Sequence, residues 1–385
     1  MASLGCGTHR GVIYTRGGLS RVMELPNILY VSWERIRDDV STAVVKVGVD
    51  EGCCAQLGEI EAVEHELHIY RNTELVWQGP ITRIEYNRMS IEFWATDILW
   101  VAKHTALSQG YSHKYVYDKN NPNKPVKMAG SVMYWLMADM TFAKYGDPWR
   151  ARNGVKWIRS PDEPRTVRVT NAWSRSTWED FDQYAQNGGM DYTVVNRSVM
   201  FWDIHLRWKV LPPLTQSYLS EEMRLVEYGS QFQTRAVVTD GEGKAGIYTT
   251  RDKAALNKYG YVDVVVNTSS DAEPDKDEDL TAEERELSEA ETMASWTDRA
   301  RKIVTNNPVP PLYVVVPENS ALVPDAPYPI GSLIPGSWLQ VDTTGMCRKG
   351  KSVWHRLHAM RVVEEDGVEK VSISLIPAPA TMVVP

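Results

Sequence analysis

The sequence predicts a mainly β protein with an α+β region in its middle. Three observations predict it. Short runs of β-branched and aromatic residues recur through the first hundred positions, separated by turn residues. Helical spacing and a capping box break that pattern between about 130 and 190. Strand signals then resume and close on an Asp-Gly hairpin turn near the end.

The runs Ile28–Trp33, Ala43–Val49, Val63–Tyr70, Leu75–Trp77, Ile81–Tyr86 and Ile91–Ala95 read as antiparallel strands. Asn72-Thr73, Gly79-Pro80 and Asn87-Arg88 read as the turns between them. Val63, His65, Leu67 and Ile69 alternate with Glu64, Glu66 and His68, the period of a half-buried strand. Many short strands at close spacing suggest a sandwich or a small barrel, and a β-barrel is the preferred reading. Tyr117–Lys127 is polar and turn-rich and reads as a loop. Ser131–Lys144 carries Val132, Leu136, Met140 and Ala143 at helical spacing, and Gly146-Asp147-Pro148 stops it. Ser176-x-x-Glu179 opens a second helix that buries Trp178, Phe181 and Tyr184 or Ala185, and Gly188-Gly189 ends it. A hairpin follows, Tyr192–Val195 and Val199–Trp202 about Asn196-Arg197.

Strands are expected again at Arg235–Thr239, Gly246–Thr250 and Tyr261–Asn267. Ser269–Asp279 is too polar to bury anything and reads as a solvated loop. A third helix is expected over Ala282–Val304, opened by Thr281-x-x-Glu284, with Leu287, Ala290, Ala294, Ala300 and Val304 as its apolar stripe. Asn306-Asn307-Pro308 closes it. Leu312–Val316, Trp338–Thr343, His355–Glu364 and Glu369–Ile376 complete the strands, the last two joined by a type I′ turn at Asp366-Gly367.

Composition limits function. The 385 residues allow two to four domains. No apolar run of about 18 residues offers a membrane span, and residues 1–18 contain no apolar core of a secretion signal. Cys6, Cys53, Cys54 and Cys347 have neither zinc-site nor disulfide-framework spacing, which suits synthesis in a reducing cytoplasm. The net charge is −8, but Asp271–Glu291 alone holds eleven acids against Lys276 and Arg285. The remainder is close to neutral and lacks the basic excess of a nucleic-acid binder. Trp 14 against Phe 5 favours half-buried rings with a polar edge, as at subunit contacts and sugar sites.

Each motif that could carry chemistry fails on context. Gly241-x-Gly243-x-x-Gly246 is followed by a strand pattern, where a dinucleotide site needs a helix. His65 and His68 are three apart on a strand and point to opposite faces, so they cannot share one metal. Cys53-Cys54 read as packing residues. Asp180 and Asp182 are a carboxylate pair of a kind any acidic chain supplies. No nucleophile elbow or phosphate loop occurs. The expected catalytic, cofactor and metal residues are therefore none, and the expected cofactor is none. For the tryptophans, core or subunit contact is preferred over a sugar platform.

The segment Cys53-Cys54, Leu57-Gly58-Glu59-Ile60, His65-Glu66-Leu67, Arg71 and Val76-Trp77-Gln78-Gly79-Pro80-Ile81 resembles the minor tail proteins of long-tailed phages of actinobacteria. So does Trp33-x-Arg35-Ile36-x-Asp38-Asp39-x-Ser41 before it. The Trp178–Phe181 helix with the Asp191–Trp202 hairpin is similar to that family's middle domain. Pro308-x-Pro310-Pro311, Val314–Pro317, Leu333–Ser337 and the hairpin from Arg361 to Pro377 resemble its second barrel. The family is that of the baseplate or tail hub, similar to the tail hub protein of contractile phages.

The resemblance implies the phage tail hub fold: mainly β with α+β, two similar antiparallel β-barrels plus an α+β middle region. It divides the chain into an N-terminal β-barrel (1–108), an α+β middle domain (109–215), the first part of a second β-barrel (216–268), the acidic loop and helix (269–306) and the rest of that barrel with the tail (307–385). It implies a structural virion protein without catalysis, assembled in the host cytoplasm and placed at the virion tail tip. Its expected partners are two further copies in a homotrimer, the distal tail protein ring, the tape measure protein and a central fibre or other minor tail proteins. DNA would pass through the lumen without specific binding. The alternatives are a tail-tip cell-wall hydrolase and a carbohydrate-binding receptor-recognition protein. An open groove of tryptophans would favour the latter.

Overall fold

Period-two burial shapes the first sheet in the computed structural model. The structure describes residues 4–49, 57–107, 117–118, 121–125, 129–143, 147, 149–159, 173, 175–227, 229, 232–241, 243–268, 292–294, 296–304, 312–318, 320–344, 346 and 353–378. The first strands are β1 (His9–Thr15), β2 (Arg21–Glu24), β3 (Ile28–Ile36), β4 (Thr42–Gly48), β5 (His65–Arg71), β6 (Glu74–Tyr86) and β7 (Ser90–Thr96). In β4 and β7 the residues Ala43, Val45, Val47, Ile91, Phe93 and Ala95 turn inward, and their neighbours turn outward. The short helix α1 (Leu99–Lys103) follows, its first turn held by Asp97, whose Oδ1 accepts the Leu99 N–H at 2.9 Å.

The structure departs from the sequence reading in this region. Leu75–Trp77 and Ile81–Tyr86 belong to one 13-residue strand, so Gly79-Pro80 is no turn. Up to Pro80, β6 pairs with β5; from Ile81 it pairs with β7. Proline, which lacks a ladder donor, stands where the strand changes partner. The strands β1 and β2 were not anticipated. Both are antiparallel additions beyond β5, and β1 carries Arg10 and Gly11 in place of a clean alternation.

The middle region begins with the small pair β8 (Tyr117–Asp118) and β9 (Asn121–Pro125), inside the stretch expected to be a loop. Then comes α2 (Ala129–Tyr134), which widens into a π-helical segment over Trp135–Ala143. This wider winding rotates the buried stripe to Val132, Met133, Leu136, Met137 and Phe142 and leaves the expected Ala143 exposed. Next are β10 (Gly154–Ile158), α3 (Thr177–Gly188), β11 (Met190–Val195) and β12 (Ser198–Asp203). The helix α3 carries the expected capping box of Ser176 and Glu179 and ends at Gly189 with φ 66°. It buries Phe181, Tyr184 and Ala185 on a sheet of order β10-β12-β11. Trp178 is only half-buried.

The last part holds β13 (Arg224–Glu227), β14 (Arg235–Thr239), β15 (Ala245–Thr249), α4 (Lys253–Tyr259), β16 (Asp263–Asn267), β17 (Leu312–Val315), β18 (Trp338–Val341), β19 (Val353–Glu365) and β20 (Val368–Pro377). The helix α4, unanticipated, is capped by Asp252, whose Oδ1 accepts from Ala254 and Ala255. Strands β15, β14 and β16 form a separate small sheet, β14 and β16 parallel across the α4 connection. A helix over 296–304 lays Trp296, Ala300 and Val304 on one face of it, while Ala294 is exposed. Ser269–Asp279, the expected helix start at Thr281, Asn306-Asn307-Pro308 and Cys53-Cys54 lie outside the described residues.

The β19–β20 hairpin returns to the first sheet. Strand β19 pairs antiparallel with β3 from Ala359↔Ile36 to Glu365↔Tyr30. The resulting ten-stranded sheet runs β18-β19-β3-β4-β7-β6-β5-β1-β2, with β20 also on β19. One continuous apolar cluster accordingly joins Val31, Trp33 and Phe93 to Leu339, Val362 and Ile373. The protein is mainly antiparallel β with α+β.

Candidate functional site

The most concentrated polar chemistry lies where the ten-stranded sheet, the middle sheet and the helix over 296–304 meet. Beyond the end of β3 the chain crosses to β11: Asp38 N–H donates to Tyr192 O, and Tyr192 N–H donates to Asp38 Oδ1, both at 2.9 Å. This crossing sets Arg37 beside Asp191, with Arg37 Nη1 2.8 Å from Asp191 Oδ2. Arg356 of β19 donates to the same oxygen. Lys302, from the helix over 296–304, places Nζ 3.7 Å from Asp191 Oδ1 and donates to Met190 O at 2.9 Å. Asp191 and Arg356 are wholly buried.

Burial works against the Asp191 charge, but Arg37, Arg356 and Lys302 outweigh it and hold this carboxyl well below the usual carboxylate range. The neighbouring Asp38 goes the other way. Burial, joined by the charge of Asp191, lifts it to about 6 against Arg37 and Lys302. The cluster therefore holds a permanent anion among three cations. It can tie β3, β11, β19 and the 296–304 helix together.

A second cluster ties the first sheet to the middle region. Glu66 of β5, almost fully buried, accepts from Gly17 N–H at 2.8 Å, Arg197 Nη1 at 2.6 Å and Trp149 Nε1. His68 Nε2 stands 3.5 Å away, and its ring stacks on Tyr14 at 4.1 Å. Burial opposes the Glu66 charge, yet His68, Arg197, Trp149 and Gly17 bring its pKa down to about 2. A third cluster fastens the final hairpin. Arg71 grips Glu369 bidentately, Nε to Oε1 at 2.6 Å and Nη2 to Oε2 at 2.8 Å, while His9 Nδ1 meets Glu364 at 2.6 Å.

An acid-side stability loss follows from Glu66. Its folded pKa lies below the unfolded one, so its contribution is complete above about pH 4.5 and disappears as pH falls towards 2. The size is roughly 3 kcal/mol. Stability measured against pH for the wild type and Glu66→Gln should therefore converge between pH 4.5 and 2. A difference independent of pH would show that the carboxylate charge contributes nothing there.

The residues considered for chemistry are dispersed. His65 and His68 take opposite faces of β5. Gly241 and Gly243, with φ 83° and 111°, lie in the connection of the β14–β15 hairpin. Asp182 accepts from the Tyr192 hydroxyl at 2.9 Å, and Asp180 is buried in the first turn of α3. Cys6 is exposed; Cys53, Cys54 and Cys347 lie outside the described residues. Among the described residues no three His, Cys, Asp or Glu side chains gather as a metal site.

Trp33 and Trp77 share the core of the large sheet, Trp149 lies in the core of the middle region, Trp202 in a smaller cluster and Trp338 is buried in β18, while Trp173 is strongly exposed at 70%. The shallow groove of about 540 Å³ on the outer face of β3, β4, β7 and β19 includes one tryptophan, Trp94, which is covered by Arg83 at 4.3 Å. A second groove, of about 380 Å³, is lined by Ser131, Tyr134, Trp157 and Arg159, so each of the two grooves includes a single tryptophan.

The buried clusters escaped the sequence reading because most of their members lie between 49 and 298 positions apart. The available signal was a charge inside an apolar strand pattern, as at Arg356 and Glu66.

Solved structures resemble the chain over nearly its whole length. A 43 kDa tail protein of prophage MuSo2 from Shewanella oneidensis matches with a TM-score of 0.57 and 10% identity, covering 96% of this chain and 98% of that one. A tail protein from Neisseria meningitidis MC58 matches at 0.58 and 11%, covering 98% and 99%. Prophage tail protein gp18 from Listeria monocytogenes EGD-e matches at 0.55 and 9%, covering 95% and 94%. No protein-family model matches the sequence, and no curated protein matches it. The fold is that of phage tail proteins.

Proposed function

We propose that the chain is a structural phage tail protein, the hub of the tail tip, acting by assembly without catalysis. The observation that carries this reading is the fold likeness to three tail proteins, two of them of prophages, across nearly all of both chains. Local likeness of a single barrel would support far less, since barrels serve many functions. In this reading three copies close a ring at the distal end of a long non-contractile tail. One face meets the distal tail ring and the other a central fibre, and the tape measure and DNA pass through the lumen.

The buried clamps suit such a part. A ring that must match the symmetry of its neighbours needs modules that hold their relative positions, and the Asp191 and Glu66 clusters fasten them pairwise. The near-neutral composition outside Asp271–Glu291 suits a conduit, since a basic lumen would retain DNA through its phosphates. The dispersed tryptophans support core and contact roles over the receptor-binding alternative.

Three-dimensional reconstruction of assembled tail tips tests the proposal. Three copies around a lumen wide enough for a duplex are expected. Six copies would indicate the distal ring, and one peripheral copy a receptor-binding accessory; either overturns the hub. Release of reducing sugar from host cell walls by the purified chain would overturn the non-catalytic reading.

A further inference from the structure

The helix over 296–304 has two unlike sides. Trp296, Ala300, Ile303 and Val304 pack on the small sheet and close an apolar cluster separate from the two large ones. Strands β14, β15 and β16 hydrogen-bond to one another as a sheet of their own. The small sheet and the helix are therefore one body. Asp298 and Lys302, one turn apart, share the opposite side of the helix. They look onto the open end of the β11–β12 hairpin, where Met190 pairs with Asp203. A polar helix side thus joins this body to the middle region.

That side carries one attraction and one repulsion. Lys302 Nζ donates to Met190 O at 2.9 Å and to Ala185 O at 3.5 Å, the latter in the last turn of α3, where a cation is favoured. Its hold on Asp191 is looser than that of its neighbours. Arg37 and Arg356 donate to Oδ2, whereas Lys302 stands 3.7 Å from Oδ1, which accepts no hydrogen bond among the described residues. Asp298 works against this hold. Burial lifts its carboxyl to about 6, opposed by Arg301 at 3.7 Å and helped by the charge of Asp203, itself 2% exposed.

The other charges facing the contact are Asp191 from β11, Asp38 and Arg37 beyond β3, and Arg356 and His358 from β19. Burial lowers the His358 pKa, and Asp38, also lifted to about 6, is a second carboxyl that titrates here.

We propose that the small sheet and its helix are a hinged unit, latched to the middle region by Lys302 and pushed away by the Asp298–Asp203 pair. Release would swing β14–β16 as one body. The apolar side of the helix stays on its sheet, while the carbonyls and charges uncovered on the polar side are solvated by water. Asp298 sets the direction: its pKa is higher docked than free, so docking takes up a proton and is strongest in acid. With a free value near 3.8, the ratio of docked to open should fall about tenfold between pH 5 and 8. The hinge rests on contacts within this chain and is independent of the hub reading.

Paired spin labels read the motion. One pair, Lys156→Cys on β10 with Val265→Cys on β16, spans the contact; a second, Lys156→Cys with Met89→Cys, lies outside it. Both pairs are placed in a chain whose native cysteines are replaced by serine. For the first pair alone, one distance at pH 5 and a second, displaced population growing towards pH 8 are expected. Lys302→Met should show the second population at pH 5 as well, and Asp298→Asn should keep the single distance at pH 8. A single distance for the first pair at every pH, in the wild type and in Lys302→Met, would overturn the hinge. A second population in both label pairs would show general loosening and overturn it too. Growth towards pH 8 that Asp298→Asn leaves unchanged would overturn the repulsive role of that carboxyl.

Discussion

Asp191→Ala is expected to destabilise the protein by about 3–5 kcal/mol, the cost of leaving a buried ion group without its partner. The side chain is wholly buried, and the groups that depend on it come from three distant parts of the chain. Arg356 is itself 0% exposed and has no route to water without moving β19. Lys302 would keep its bonds to Met190 O and Ala185 O but lose Asp191 Oδ1, 3.7 Å from its Nζ. Asp191→Asn retains the shape and removes the charge, so it should cost nearly as much as alanine. Adding Arg356→Met to Asp191→Ala removes one stranded cation and should recover part of the loss. Thermal and urea unfolding of the four proteins reads this directly. A shift of under about 1 kcal/mol for Asp191→Ala, on the scale of an exposed pair, would mean that the cluster does not hold β11, β19 and the 296–304 helix together.

Such clusters show why the sequence discloses one level of this fold and hides another. Patterns that depend on neighbours in the chain were legible. Glu179 sits three residues after Ser176 and closes the capping box. Asp366 and Gly367 both take positive φ, 51° and 74°, as their turn type requires. Alternation in β5 places Leu67 and Ile69 in the core.

Relations between remote segments were not legible. Strand β19 joins β3 across more than 300 residues, and no local pattern encodes that partner. Short strands such as β2 and β13, four residues each, carry too few positions for a period to show. The clamps share this blindness: Glu66 finds Arg197 only after the middle region has folded against the first sheet. Residues that read as punctuation can also serve packing, and Gly79 is the case with the largest consequence.

Gly79→Ala should cost about 3 kcal/mol or more, at the upper end of overpacking effects. Gly79 is buried in β6, opposite Leu67 of β5, at the point where the strand leaves one partner for the other. A Cβ there would overlap the Thr96 carbonyl oxygen, lie 2.8 Å from its carbon and come within 3.0 Å of Trp77 Cη2. The first two atoms are backbone at the end of β7, whose register on β4 is fixed from Thr42↔Thr96 to Gly48↔Ser90. They cannot yield as a flexible side chain would. Relief requires β6 and β7 to separate, which strains the bulge between Ile81 and Arg83 as well. Gly331 supplies the control: nothing lies within 4 Å of a Cβ built there, so Gly331→Ala should leave the unfolding midpoint unchanged. At roughly 2–4 °C per kcal/mol for a chain of this size or somewhat smaller, Gly79→Ala should lower the midpoint by about 6 °C or more. Equal midpoints for the two variants would mean that the β6–β7 approach is not tight, and that the turn-like letters Gly79-Pro80 have no packing role.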